Sequence, residues 1–368
     1  MRWFKDIFHG LAFGVANIIP GVSGGTLALV LGFYERLLGF LNRLTVPHVL
    51  DLLKLKCQWL KKPLNHEHCK AFWGRLADED WGFMARLLLG AGVAVVGLAS
   101  LMDTLLSEQF QLTYAFFFGL ILLSIQVPWK EIHSKGMTVW VNLLVGLAIT
   151  VGIAAAVDPA EKAQRKSDLY QAQTQSNVSQ IESSDSDDPD VSRFSFIGKY
   201  SASDYLLIFA AGAVAISAMV LPGISGSLMM ILMGQYFILI RAISSFISEW
   251  LLDDLLFLGV CGLGMGLGLL LTARLVEIAL RKAHDATMAF LTGLIIGSLY
   301  ALWPFKEMLI LDEVQRDGSI LEGRTVASNI NQFPTDVSVW LPVLGIMALG
   351  AAVMWGVMRL ESKTESTA

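Results

Sequence analysis

The chain has 368 residues, is 54% hydrophobic and 16% charged, and carries a net charge of −5. A soluble domain carries roughly 25% charged and about 45–50% apolar residues, so a soluble enzyme and a basic nucleic-acid binder are both excluded. Three cysteines (Cys57, Cys69 and Cys261) are too few for a disulfide framework. The composition is that of a polytopic, all-α membrane protein.

In chain order, segment 7–41 is apolar but interrupted by Pro20-Gly21-Val22-Ser23-Gly24. Arg2 and Lys5 ahead of it imitate a signal peptide. The same motif at Pro222, far from any leader, argues against that reading. Segment 43–83 is polar and alternates Lys54, Lys56, Lys61 and Lys62 with leucines and Trp59. It reads either as an interfacial amphipathic segment or as a solvated linker. Segments 84–102, 112–127 and 137–157 are each long and apolar enough to span a bilayer. Segment 158–203 is polar and acidic and reads as a flexible loop. Segment 205–240 is a second apolar stretch, broken by Pro222-Gly223-Ile224-Ser225-Gly226. Segments 255–273, 287–303 and 337–358 are three further spans, and 304–336 reads as a loop.

The two broken stretches are copies. Residues 20–34 and 222–236 share 6 of 15 positions, and residues 115–129 and 289–303 share 7 of 15. The offsets are 202 and 174, so the first half carries 28 extra residues, accommodated by the polar segment 43–83. A duplicated chain is expected: a first repeat at 1–157, the external loop 158–203, and a second repeat at 204–360. If each broken stretch enters and leaves on one side, each half has three full crossings and the halves are inverted. Lys/Arg placement favours this: 16 fall in the segments then cytoplasmic and 9 in those then external. Both termini are then cytoplasmic. Inverted repeats with broken helices mark secondary transporters.

Pro20 and Pro222 end the incoming helices, and Gly21, Gly24, Gly25, Gly223 and Gly226 permit a tight reversal. A helix restarting at Ser23 or Ser225 points unpaired N–H groups at the tip, where the helix dipole favours an anion. Ser23, Thr26, Ser225 and Ser227 add hydroxyls. About 15 residues of helix reach ~22 Å, deep enough to bring opposed tips together at mid-membrane. The ligand favoured is a phosphate or a carboxylate. The plainer alternative is that the hydroxyls cap helices and the motifs are turns.

Arg36, Arg86 and Arg274 are weaker candidates for anion contact; each also suits a topology anchor, with Arg36 paired to Glu35. Gly21-Val22-Ser23-Gly24 and its copy match the Gly-x-Ser-Gly string of rhomboid-type proteases. None of the six histidines falls at mid-depth on another helix, so the serine lacks its base. Cys57, His66, His68 and Cys69 do not have a standard zinc spacing. No cofactor or metal is expected.

The string GLAFGVANIIPGVSGGTLALVLGFYERLL, with its degenerate second copy LPGISGSLMMILMGQY, resembles bacterial inner-membrane polyprenyl-phosphate transporters. The resemblance runs over the whole chain apart from loops 158–203 and 304–336. It departs at Ser227, which stands where the first copy has Gly25. It implies that the chain moves undecaprenyl phosphate between leaflets; this fits the reading of the tips as an anion site, with the phosphate head there and the tail left in the lipid, and no enzymatic activity is expected. Two rivals remain. A transporter of a small soluble anion would show a closed cavity. A non-transporting scaffold would have dry, packed tips.

Overall fold

The computed structural model describes residues 2–18, 23–43, 80–156, 200–249, 252–314 and 320–365, with the single residues 51, 54 and 74. Pro20, Gly21, the zinc-like cluster at 57–69 and most of loop 158–203 lie outside the described residues.

The first broken stretch contains α1 (Arg2–Ile18), α2 (Gly24–Val30) and α3 (Tyr34–Arg43). Then come α4 (Trp81–Glu108), α5 (Phe110–Ser124), the short α6 (Gln126–Lys130) and α7 (Met137–Ala156). The second stretch repeats the plan with α8 (Ala202–Val220), α9 (Gly226–Leu232) and α10 (Tyr236–Glu249). It is followed by α11 (Leu252–Lys282), α12 (His284–Ala301) and α13 (Val337–Glu365). Between the last two, β1 (Lys306–Val314) and β2 (Ile320–Asn331) pair antiparallel. This ribbon replaces the loop expected at 304–336: its Ile-, Leu-, Val- and Thr-rich runs suit a pleated surface, which a hydropathy reading of spans does not see.

Among the described residues six helices are long and apolar enough to cross a membrane, and the chain is a helical, multi-pass membrane protein. They match five of the expected spans. The sixth, 287–303, forms the buried α12 but does not qualify, because the helix begins at His284-Asp285 and its polar first turn lowers the mean hydropathy. Ala202–Val220, the first arm of the second broken stretch, qualifies instead. Outward leucines and valines such as Leu88, Val96, Leu144, Leu263 and Leu341 are exposed, as lipid-facing positions require.

The helices pack through glycines, and each contact occurs twice. On α4, a Cβ at Gly90 would run into the carbonyl of Ile7; on α11, one at Gly264 would run into that of Phe209. Gly10 likewise lies against Leu87 and Gly212 against Cys261. The α5–α13 pair closes at Gly119 on Met347 and Gly350 on Phe116. The α7–α12 pair closes in the same way at Gly293 on Leu143 and Gly146 on Phe290. Small residues let the backbones touch, which is how helices gain contact where lipid supplies no hydrophobic drive.

Neither segment that follows a Pro-Gly-x-Ser-Gly motif is a single helix. α2 and α3 meet at 113°. The break is Gly32 at φ 69°, and its copy Gly234 sits at φ 70°. Only glycine takes that conformation at no steric cost. The helices α2 and α9 that follow the motifs therefore have 7 residues each, about 10 Å long.

Candidate functional site

The two motifs meet. Thr26 of α2 is 1% exposed, and its Oγ1 accepts a 2.8 Å hydrogen bond from the backbone N–H of Gly223 in the second motif. Ser23 Oγ donates to the carbonyl of Leu221 at 3.2 Å. A Cβ on Gly25 would sit 2.7 Å from the carbonyl oxygen of Val220, so that position has no room for a side chain. Gly223 holds φ 85° beneath α12, and a Cβ there would strike the carbonyl of Leu294.

Ser23 and Ser225 both occupy the N-cap position of their short helices, and neither side chain caps its helix. Ser23 is committed across the junction. Ser225 Oγ is 3.0 Å from Ser227 Oγ. Ser225 is half-buried and Ser227 exposed, whereas Ser23, Gly24, Gly25 and Thr26 are all buried. Pro222 and Gly223 are buried and Gly226 is half-buried. The first intrahelical bonds reach Ser23 O from Thr26 N and Ser225 O from Met229 N. The N–H groups of Gly24, Gly25, Gly226 and Ser227 precede them, as in any first turn. The tips are packed against each other. A cavity of about 710 Å³ lined by Phe118, Tyr300, Trp303, Asn331 and Phe333 lies away from the tips, at the end of α12 beside the ribbon.

The three arginines do not gather at the tips. Arg36 makes a bidentate contact with Asp80, at 2.5 and 2.7 Å, and a 3.0 Å bond to Asp6. Asp6, whose side chain is 4% exposed, also takes Arg86 at 2.8 Å. Arg36 lies over the Phe83 ring at 4.0 Å and Arg86 over Trp3 at 5.2 Å. His9 stacks on Phe33 one turn deeper, with centroids 4.7 Å apart. The start of α1, the start of α3 and the start of α4 are thus tied by two arginines and two aspartates. Arg36 is held by Asp6 and Asp80, where the sequence suggested Glu35. Arg274 is exposed on α11; nearby, Asn42 bonds the carbonyl of Ala273 and Glu277.

Asp6 and Asp80 did not stand out in the sequence. Asp6 is a lone acid near the start of α1 and Asp80 is the last of the acidic run Asp78-Glu79-Asp80 ahead of α4, and their arginines lie 30 to 80 residues away. The one signal was a mismatch: Arg36 and Arg86 flank apolar segments and call for nearby carboxylates.

Residues 13–319, most of the chain, match the model of a family described as VCA0040-like, undecaprenyl phosphate translocase-like. A relative from Vibrio cholerae serotype O1, named polyprenyl-phosphate transporter, is 29% identical over 373 residues, covering 99% of this chain and 98% of the relative. One from Staphylococcus aureus with the same name is 27% identical over 370 residues, covering 99% and 100%. No solved structure gives a significant match.

Proposed function

We propose, from the premise that the chain belongs to the undecaprenyl phosphate translocase-like family, that it moves a polyprenyl phosphate lipid across the bacterial inner membrane. Relatives named polyprenyl-phosphate transporter match it end to end, which supports that substrate class. The role is transport and not catalysis. The phosphate passes the junction of the two Pro-Gly-x-Ser-Gly motifs while the isoprenoid tail stays in the lipid.

The observation that carries this reading is the Thr26–Gly223 bond. It sets a buried backbone donor of one motif against an acceptor of the other. When the halves part, that N–H and the Leu221 carbonyl lose their partners. A phosphate oxygen can take the place of Thr26 as acceptor. Ser225 and Ser227, already accessible, are the first hydroxyls such a head group meets; Ser23 and Thr26 become available only on opening. A net hydrogen bond contributes about 0.5–1.5 kcal/mol, so two cross-motif bonds form a latch that a charged ligand can displace. Packed tips are also what a scaffold would have, and transport is the property that separates the two.

We further propose that repeats 1–157 and 204–360 are related by an inverted two-fold, with loop 158–203 between them. The doubled glycine contacts support the two-fold, and the Lys/Arg balance its inversion. Gly119 and Gly293 are related by the offset of 174 already present in the sequence, as are Gly90 and Gly264, and the partners Ile7 and Phe209 are related by the offset of 202. The Asp6–Arg36 bond supports a re-entrant first hairpin, because it joins the entry and exit of that stretch at one end. Both termini are then cytoplasmic, by the Lys/Arg balance.

The test is flipping of a fluorescent polyprenyl phosphate in proteoliposomes. Ser225→Ala with Ser227→Ala should slow it by about tenfold, the equivalent of ~1.4 kcal/mol. A wild-type protein that flips no lipid would leave the scaffold reading standing.

A further inference from the structure

We propose that His133, His284 and Asp285 form a binding site for a divalent transition metal, zinc being the ion the donors fit. Asp285 Oδ1 lies 3.5 Å from His133 Nδ1 and 3.4 Å from His284 Nδ1. The three ligand atoms all lie within 4.8 Å of one another. The His–Asp separations are long for hydrogen bonds, whose usual range ends near ~3.2 Å. They match the edge of a tetrahedron with metal–ligand bonds of about 2.0–2.1 Å, which is roughly 3.3–3.4 Å. Two imidazoles and a carboxylate make a borderline-soft set that suits zinc over magnesium or calcium.

The carboxylate is already oriented. Ser134 donates to Oδ2 from its backbone N–H at 2.8 Å and its hydroxyl at 2.7 Å, and the His133 N–H donates to Oδ1 at 3.2 Å. Such outer bonds fix a metal ligand before the ion arrives. They also hold the Asp285 carboxyl well below the usual carboxylate range, so it is an anion at neutral pH. His133 is exposed and His284 half-buried, so an ion can enter from solvent and keep a water as fourth ligand.

The ligands come from the two sequence repeats. His133 lies in the connection ahead of α7, and His284 and Asp285 open α12, the helix that packs on α7 through Gly146 and Gly293. A bound ion therefore pins one repeat to the other at one end of that pair. At the corresponding end of α5–α13 the equivalent positions are Phe110 and Gln111, at the offset of 174, and Val337, at the offset of 204 that relates the contact glycines Gly146 and Gly350; these offer no comparable set. The device is one-sided. It would hold the ends of α7 and α12 together whichever way the tips move.

The experiment uses the full chain in detergent, stripped of metal and titrated with zinc against a chromophoric chelator. Cys57, His66, His68 and Cys69 could also take up zinc, so the measured quantity is the difference between variants. His133→Ala with His284→Ala should lose one equivalent of zinc. His133→Ala alone, a change at an exposed side chain, should weaken that equivalent at least tenfold. Zinc should raise the melting temperature of the wild type more than that of the double variant. Unchanged stoichiometry and affinity in the double variant, with a wild-type elution profile, would overturn the site. None of these readouts uses lipid transport, so a failure here is distinct from a failure of the translocation reading.

Discussion

In the first broken stretch the motif hydroxyls are buried in bonds to the second motif, and its mouth, where α1, α3 and α4 begin, is closed by Asp6, Arg36, Asp80 and Arg86. At the second, Ser225 and Ser227 are accessible. Its mouth positions, at the same offsets, are Ile208, Ile238, Asp254 and Val260. Ile208 and Phe257 sit in one apolar cluster with Ile238 packed against it. Of the four charges only the Asp80 equivalent survives: Asp254 is fully buried and accepts a 2.6 Å bond from Tyr200. Two copies of one backbone plan thus serve different ends. The first broken stretch is fastened by charge and by cross-motif bonds, while the second offers hydroxyls and is fastened by apolar packing.

The sharpest way to break this contrast is at the mouths. Asp6→Ala leaves two arginines without their shared carboxylate. It should destabilise by about 3 kcal/mol, the low end for a buried pair because Arg36 stays half open. Tyr200→Phe at the other mouth should cost less, about 1–2 kcal/mol, since it removes one hydrogen bond. Equal falls in melting temperature would show that the mouths are not differently built.

The tips come next. Thr26→Val strands the Gly223 N–H and should lower stability by roughly 1–3 kcal/mol. Gly25→Ala forces a Cβ against Val220 and should cost a similar amount, about 1–3 kcal/mol. Ser227→Ala, at the position equivalent to Gly25, should leave stability within about 0.5 kcal/mol and slow lipid flipping. A Ser227→Ala protein with wild-type flipping would move the binding role away from the second motif. The smallest effect belongs to Arg274→Gln, which should change stability by less than about 0.5 kcal/mol at this exposed site. A loss of flipping without a loss of stability there would make Arg274 a lipid contact and not an anchor.

Much of the architecture was legible. The apolar runs predicted five of the six membrane-length helices, because desolvating a helix demands about 20 apolar residues and that demand is written locally. The offsets of 202 and 174 were equally plain, and the packing glycines obey them. The break at Gly32 and Gly234 was present as an identity between the copies, but the segment after each motif still read as one continuous helix. A glycine within an apolar run does not declare its φ. The ribbon formed by Lys306–Val314 and Ile320–Asn331 was missed because strand alternation in a segment between spans is a weak signal beside hydropathy.

The sequence by itself determined the membrane class, the duplicated motif and the residue types at each tip, because hydrophobicity and repetition are properties of the string. Only the tertiary structure decided that Thr26 faces Gly223, that Asp6 serves two arginines and that His133 meets Asp285. Each of those pairs joins residues dozens to nearly 200 positions apart. Their partners are chosen by how helices pack, and no local pattern encodes that choice.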